Sequence, residues 1–304
     1  MLHLLNGDAT AAVFPDTLPG ERAVWRDILM EGPAEADADT RAAWLAPRLG
    51  VSADAYARRW REEIAMLSAA KEHDEVVLWF ERDLFCSLNL WFVLTRLDVP
   101  RVSLVFPTLD GDFRGLGTLR PGDFPALFER REHLSLDELR DAHALWRAYA
   151  APDPTAFARY EPILPFAHSA IHLHCGRFPS AIHGLDEVEH ATLATLDEPI
   201  DFGALFRRVT SIPPMSELGL GDVQFAAMLT DLAAGPTPLI LIADREQSFQ
   251  HWRISRTAAA VEVLAGRVDR LTLTPLDRWL GGVHLRPGAP VWRWDSRHFA
   301  LVAT

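Results

Sequence analysis

Short apolar runs alternate with amphipathic stretches along the first hundred residues. Residues 2–5, apolar apart from His3, end in Asn6-Gly7-Asp8, which predicts a strand stopping at a glycine-containing loop, with a helix opening over residues 9–14. Residues 22–25 predict a second strand, followed by Arg26-Asp27 and the breaker Glu31-Gly32-Pro33. Residues 38–49 and 53–70 have helical periodicity. In the second stretch Tyr56, Trp60, Ile64 and Leu67 form an apolar stripe at spacings of three or four residues. Residues 75–80 predict a third strand, continuously apolar after Glu75 as buried parallel strands tend to be. An apolar helix over 84–97 and a buried strand over 102–106 follow. Strand and helix in alternation predict an α/β fold, with a Rossmann-like parallel sheet flanked by helices.

Further along the pattern changes twice. Residues 110–122 are glycine-rich and predict a loop. Helices over 136–150 and 185–196, with a mostly helical, proline-interrupted run over 157–178 between them, make a helical middle segment. Beyond Pro213-Pro214 a helix is expected over 220–233, with Ser216-Glu217 as capping candidates. Then come a short apolar run at 239–242, a brief strand at 252–254 and a helix over 257–265 stopped by Gly266. Residues 278–285 and 291–295 are rich in Trp and β-formers, and Pro287-Gly288 between them predicts the turn of a hairpin. Helices followed by a two-stranded ribbon outline a small winged-helix-like α+β domain. The expected division is an α/β domain over 1–125, a helical connecting segment over 126–210 and a winged-helix-like domain over 211–304.

Composition narrows the partners. With 49% hydrophobic residues in a chain of 304, wholesale disorder is excluded. Lys and Arg number 30 against 42 Asp and Glu, a formal net charge of -12. Phosphate backbones are bound mainly by clustered Lys and Arg, so this balance argues against a nucleic acid partner. No apolar window of about 18 residues is free of charge, which argues against a membrane, and the N-terminus lacks the basic region of a signal peptide. Cys86 and Cys175, outside any CxxC pair, suit a reducing cytoplasm. A small-molecule ligand is the expected partner, with a homodimer left open.

The most informative feature is where the carboxylates stand. Asp8 follows the first strand, Asp27 and Glu31 follow the second, Glu81 and Asp83 follow the third. In a parallel sheet these loops share one rim, where open α/β sheets bind ligands. Clustered carboxylates repel, so a divalent metal, an amine substrate or arginine side chains would have to compensate. Hard oxygen ligands favour Mg²⁺ or Ca²⁺. Alternatively, one carboxyl has a raised pKa and serves as acid or base. In the enzyme reading Asn6 and Gly7 orient an anionic or phosphorylated part of the substrate, Glu81 and Asp83 hold a metal or move a proton, and Asp27 and Glu31 complete the polar shell. Helix capping is the competing role for Asp8 and Asp83, and a solvated turn for Asp27. There is no GxGxxG and no GxxxxGK[ST]. The competing reading is a ligand-sensing or adaptor protein whose winged-helix-like end contacts DNA or protein.

Two other constellations carry less. His168, His172 and Cys175 would share a helix face and suggest zinc, but HExxH is absent. Phe85-Cys86-Ser87-Leu88-Asn89 is not the G-x-S-x-G of a hydrolase elbow.

Asn6-Gly7-Asp8, Trp25-Arg26-Asp27 with Glu31-Gly32-Pro33, and Leu78-Trp79-Phe80-Glu81-Arg82-Asp83-Leu84-Phe85-Cys86 with Asn89 resemble the N-terminal module of a bacterial two-module family of unknown function. Its C-terminal module is similar to Leu218-Gly219-Leu220-Gly221-Asp222 and Trp279-Leu280-Gly281-Gly282-Val283-His284-Leu285. The likeness spans most of the chain outside residues 110–150. Ser87 departs from the Gln or Asp expected there. The resemblance implies the two-module division and draws Trp25 and Asn89 into the set of binding candidates, but it implies no reaction.

Overall fold

The computed structural model describes residues 1–107, 115–164 and 166–304. Its first half is built from β1 (Leu2–Asn6), α1 (Asp8–Val13), β2 (Glu21–Trp25), α2 (Ala38–Leu49), α3 (Ala53–Ala69), β3 (Val76–Trp79), α4 (Leu84–Leu94), β4 (Val102–Val105), α5 (Phe124–Glu129) and β5 (Glu132–His133). The five strands lie in the order β2-β1-β3-β4-β5. The first four are parallel, and β5 closes the edge antiparallel to β4. The expected α/β sheet is therefore present, with an antiparallel edge strand that two exposed polar residues, Glu132 and His133, gave no apolar pattern to reveal.

The strands hold together because both faces of the sheet are covered. Successive side chains point to opposite faces. Leu2, Leu4, Val76 and Leu78 accordingly join one large core, while Leu5, Val77 and Trp79 join Phe14, Leu116 and Phe124 on the other side. Helix ends follow the caps the sequence supplies. Asp37 accepts from Thr40 N at 2.8 Å to start α2, and Gly50 in the left-handed region (φ +67) ends it. Asp83 starts α4 in the same way, accepting from Cys86 N at 2.6 Å. That helix is apolar on every side and buried almost throughout, as a helix hidden between layers should be. It stops at Leu94, short of the expected 97.

The middle segment comprises α6 (Leu136–Tyr149), α7 (Thr155–Ala158) and α8 (Ala167–Cys175). The rest contains α9 (Glu187–Thr195), β6 (Ile200–Asp201), α10 (Phe202–Thr210), α11 (Asp222–Leu232), β7 (Ile240–Ala243), β8 (Arg253–Arg256), α12 (Ala258–Leu264), α13 (Arg270–Leu273), β9 (Arg278–Leu280), β10 (Val283–Leu285), β11 (Trp292–Asp295) and β12 (Ala300–Ala303). A three-stranded antiparallel sheet, ordered β6-β8-β7, is preceded and interleaved by α9, α10 and α11. The order α9, β6, α10, α11, β7, β8 is winged-helix-like with β7–β8 as its ribbon, but it begins at residue 187, inside the stretch expected as the connecting segment, so the expected boundary at 211 falls within it.

The expected ribbon around Pro287-Gly288 is not formed. Residues 278–285 fold back on themselves instead: β9 pairs with β10 across Gly281-Gly282, and β11 pairs with β12. The reason is tertiary. Gly281 lies in the left-handed region, and the glycine pair is pressed onto the end of α6, where a Cβ on Gly282 would fall 2.0 Å from Ala150 O. Gly282 N donates to Tyr149 O at 3.1 Å, and Ala34 N donates to Gly281 O at 3.1 Å. Ser216 and Glu217 do not cap α11. The Gln224 carboxamide does so, accepting from Gly221 N at 2.9 Å. Of the glycine-rich loop, residues 110–114 lie outside the described residues, and 115–123 form two short 3-10 turns. Among the described residues no helix is long and apolar enough to cross a membrane.

Candidate functional site

From β1 the chain moves outward to β2 on one side, whereas β3 and β4 lie on the other. Loops leaving the carboxyl ends of β1 and β3 therefore diverge, and such a switch point is where open α/β sheets form a ligand crevice. Asn6 ends β1, and Glu81 and Asp83 lie just past the end of β3. The three are brought together with Cys86 and Asn89 from the first turns of α4.

A chain of hydrogen bonds fixes the amide orientations. Leu29 N donates to Asn89 Oδ1 at 3.4 Å, so Asn89 Nδ2 faces outward and donates to Asn6 Oδ1 at 3.0 Å. That in turn leaves Asn6 Nδ2 to donate to Cys86 Sγ at 3.0 Å. Asn89 and Cys86 are buried, so Asn6 is held from behind by groups that cannot move away.

Glu81 is clamped from the far side of the sheet edge. Its Oε1 accepts from Leu116 N at 2.7 Å, and Gly115 (φ +122) approaches so closely that a Cβ there would lie 2.8 Å from Oε2. Burial, then the neighbouring Asp83, pushes the Glu81 carboxyl up to about 7, and the Leu116 hydrogen bond only partly opposes this. Asp83 keeps some accessible surface but is ringed by protein, and that burial raises its carboxyl against the pull of the Cys86 N–H. Cys86 is raised well above an ordinary thiol by burial and by the two carboxyls, so it stands there as a neutral acceptor and not as a nucleophile.

The other candidates are placed elsewhere. Asp27 is buried and engaged: Arg41 Nη2 lies 2.6 Å from its Oδ2, and the Tyr56 hydroxyl donates to Oδ1. Asp8 is exposed and meets Arg26 at 2.8 Å. Glu31 pairs with Arg177 at 2.5 Å. Trp25 is fully buried against Trp60 and Phe92, which makes it core. Gly7 (φ +92) turns the chain out of β1, but its N–H is taken by Trp25 O at 2.8 Å and is not free for a ligand. Arginine compensation thus reaches three of the five rim carboxylates, and the raised pKa values belong to the remaining two. Among the described residues, no three His, Cys, Asp or Glu side chains group so as to hold a metal ion. In α8, His168 and His172 are exposed while His174 and Cys175 are buried, so the expected zinc face is divided between solvent and core.

Two loops contribute that the rim of strand ends does not point to. Gly115 and Leu116 reach Glu81 from the loop after β4. Gly219 reaches Asp83 from the loop before α11, so close that a Cβ would lie 2.7 Å from Oδ1, while Phe85 N donates to Leu218 O at 3.2 Å. Comparison with protein-family models and with curated proteins finds nothing that this chain matches.

Proposed function

We propose that the carboxyl ends of β1 and β3 bind a small polar molecule at the switch point and that Glu81 exchanges a proton with it, which makes the protein an enzyme of small-molecule acid–base chemistry. A single observation carries this reading: a carboxyl whose pKa is pushed to about 7 stands at the switch point of the sheet, beside a second raised carboxyl. Asn6, held by Asn89 and Cys86, retains one amide N–H to orient the ligand. A phosphorylated substrate draws less support, because the Gly7 N–H and the Arg26 guanidinium are already engaged. The DNA-contact alternative also loses support. The helix that would enter a groove, α11, contains no Lys or Arg, and it faces α2 across a pocket.

The test is a thermal-shift screen of small polar metabolites against wild-type protein and Glu81→Gln at pH 8.5, where the Glu81 carboxyl is ionised and the carboxamide is not. A ligand is expected that shifts the wild type and fails to shift the variant, while the unliganded melting temperatures agree within about 2 °C. A variant that folds and binds equally well would remove Glu81 from the site, and one that simply unfolds would make Glu81 a structural residue.

A further inference from the structure

Arg82 stands between Glu81 and Asp83 just past the end of β3, and the acid–base reading gives it no part. It pairs with neither neighbour. The Glu81 carboxyl accepts from Leu116 N at 2.7 Å, and that of Asp83 accepts from Cys86 N at 2.6 Å. The Arg82 guanidinium lies over the Phe106 ring instead, with Cζ 4.6 Å from its centre, and Phe106 is stacked in turn on Phe166 at 4.1 Å. Arg82 is half-buried, and among the described residues it makes no ion pair and no side-chain hydrogen bond. Its Nε is shut off from solvent without a partner, which leaves the two Nη groups as the donors that solvent reaches. Other arginines at this depth are matched. Apart from Arg59 on α3, every buried or half-buried arginine among the described residues meets a carboxylate, as Arg41 meets Asp27 and Arg177 meets Glu31. A cation taken partly out of water with no counter-ion is costly, and the stack on Phe106 fixes its plane so that the fork of Nη groups stays presented.

We infer that Arg82 binds a carboxylate of the molecule whose other polar end meets Asn6 and Glu81, which makes the substrate class small carboxylates with a second polar group. This rests on the switch-point reading and adds the charge and length of the ligand to it. The strands lie in the order β1-β3-β4, with Asn6 ending β1 and Phe106 following β4. The two ends therefore stand two strand spacings apart, roughly 10 Å. Hydrogen bonds of roughly 3 Å at each end leave a body of about three carbons. A carboxylate matches the guanidinium fork with a single charge, whereas a phosphate dianion would bring a second negative charge beside Glu81 and Asp83.

The experiment is an NMR titration of the full chain with glutaramate, its neutral isostere glutaramide and inorganic phosphate. It is run at pH 6, where Glu81 largely holds its proton and adds little negative charge beside the ligand. Saturable binding of glutaramate is expected, with glutaramide weaker by about tenfold or more. Arg82→Met keeps a side chain to lie on Phe106 and should bring glutaramate down to the level of glutaramide, with a melting temperature that stays within about 2 °C or rises. Arg82→Lys keeps the charge, loses the fork and should fall between the two. Equal affinity for the two isosteres, tighter binding of phosphate than of glutaramate, no saturable binding, or glutaramate binding that survives Arg82→Met overturns the assignment. So does a large fall in melting temperature in both Arg82 variants, which would make the guanidinium structural. The acid–base reading is scored separately, by Glu81→Gln at pH 8.5. Removal of Glu81 from the site would leave the Arg82 titration standing, and loss of the Arg82 assignment would leave the Glu81 result standing.

Discussion

Asp8, Asp27 and Glu31 carry the same charge as Glu81 and Asp83, yet the fold treats them differently. The first three meet arginines. The last two are enclosed beside each other, and that burial raises both carboxyls. Glu63 on α3 makes the same point without a crevice. It is buried, neither carboxylate oxygen has a partner among the described residues, and burial followed by repulsion from Asp27 pushes it up to about 7. An ordinary glutamate in the unfolded chain titrates near 4.5, so the native state binds this proton more tightly. The stability it contributes is present at pH below the unfolded value and is lost as pH rises through about 7. Glu63→Gln should therefore match the wild type at pH 4 and exceed it at pH 8 by something on the order of 2 kcal/mol in urea unfolding. A wild type that is more stable than the variant at pH 8 would contradict this.

At the scale of elements, two glycines share one backbone conformation and differ in their surroundings. Gly50 ends α2 at φ +67 with open space where a Cβ would stand. Gly219 has φ +67 and presses against Asp83 and Phe85. Alanine at position 50 should cost about 1 kcal/mol, the strain of the left-handed region alone. Alanine at 219 adds a clash with the cap of α4 and should cost clearly more, with a melting temperature several degrees below that of Gly50→Ala. Equal losses would mean that the loop before α11 yields freely and does not brace Asp83. This loop has Leu218 and Leu220 lining the cavity between α2 and α11 on either side of Gly219, so one short segment borders both that cavity and Asp83.

For the whole molecule, one apolar core is continuous from Leu2 to Leu301, and buried polar links cross it. Arg177 on the far side donates to Met30 O at 2.6 Å and pairs with Glu31, while Tyr149 donates to Leu29 O at 2.8 Å. Calorimetry should record a single unfolding transition. Arg177→Met leaves Glu31 without its partner and should lower stability by about 2–4 kcal/mol. Two resolved transitions in the wild type would mean that the parts fold independently despite the shared core.

How much of this was legible beforehand follows from how far each signal reaches. Alternation of apolar runs is a local property, and it located β1 to β4 and α2 almost to the residue, because burial on both sheet faces demands it. The parallel order then required that Asn6, Glu81 and Asp83 share a rim. The pairing of the last strands is ambiguous in the sequence, because Gly281-Gly282 and Pro287-Gly288 are both good turns, and contact with the end of α6 chooses between them. The same holds for charge. The sequence by itself determined which carboxylates follow the strands. Only the tertiary structure decided which of them an arginine would reach: Arg41 comes from 14 residues beyond Asp27, and Arg177 from 146 beyond Glu31. Periodicity records which side of an element is apolar, whereas an ion pair depends on where two distant side chains end up once that apolar surface has been buried.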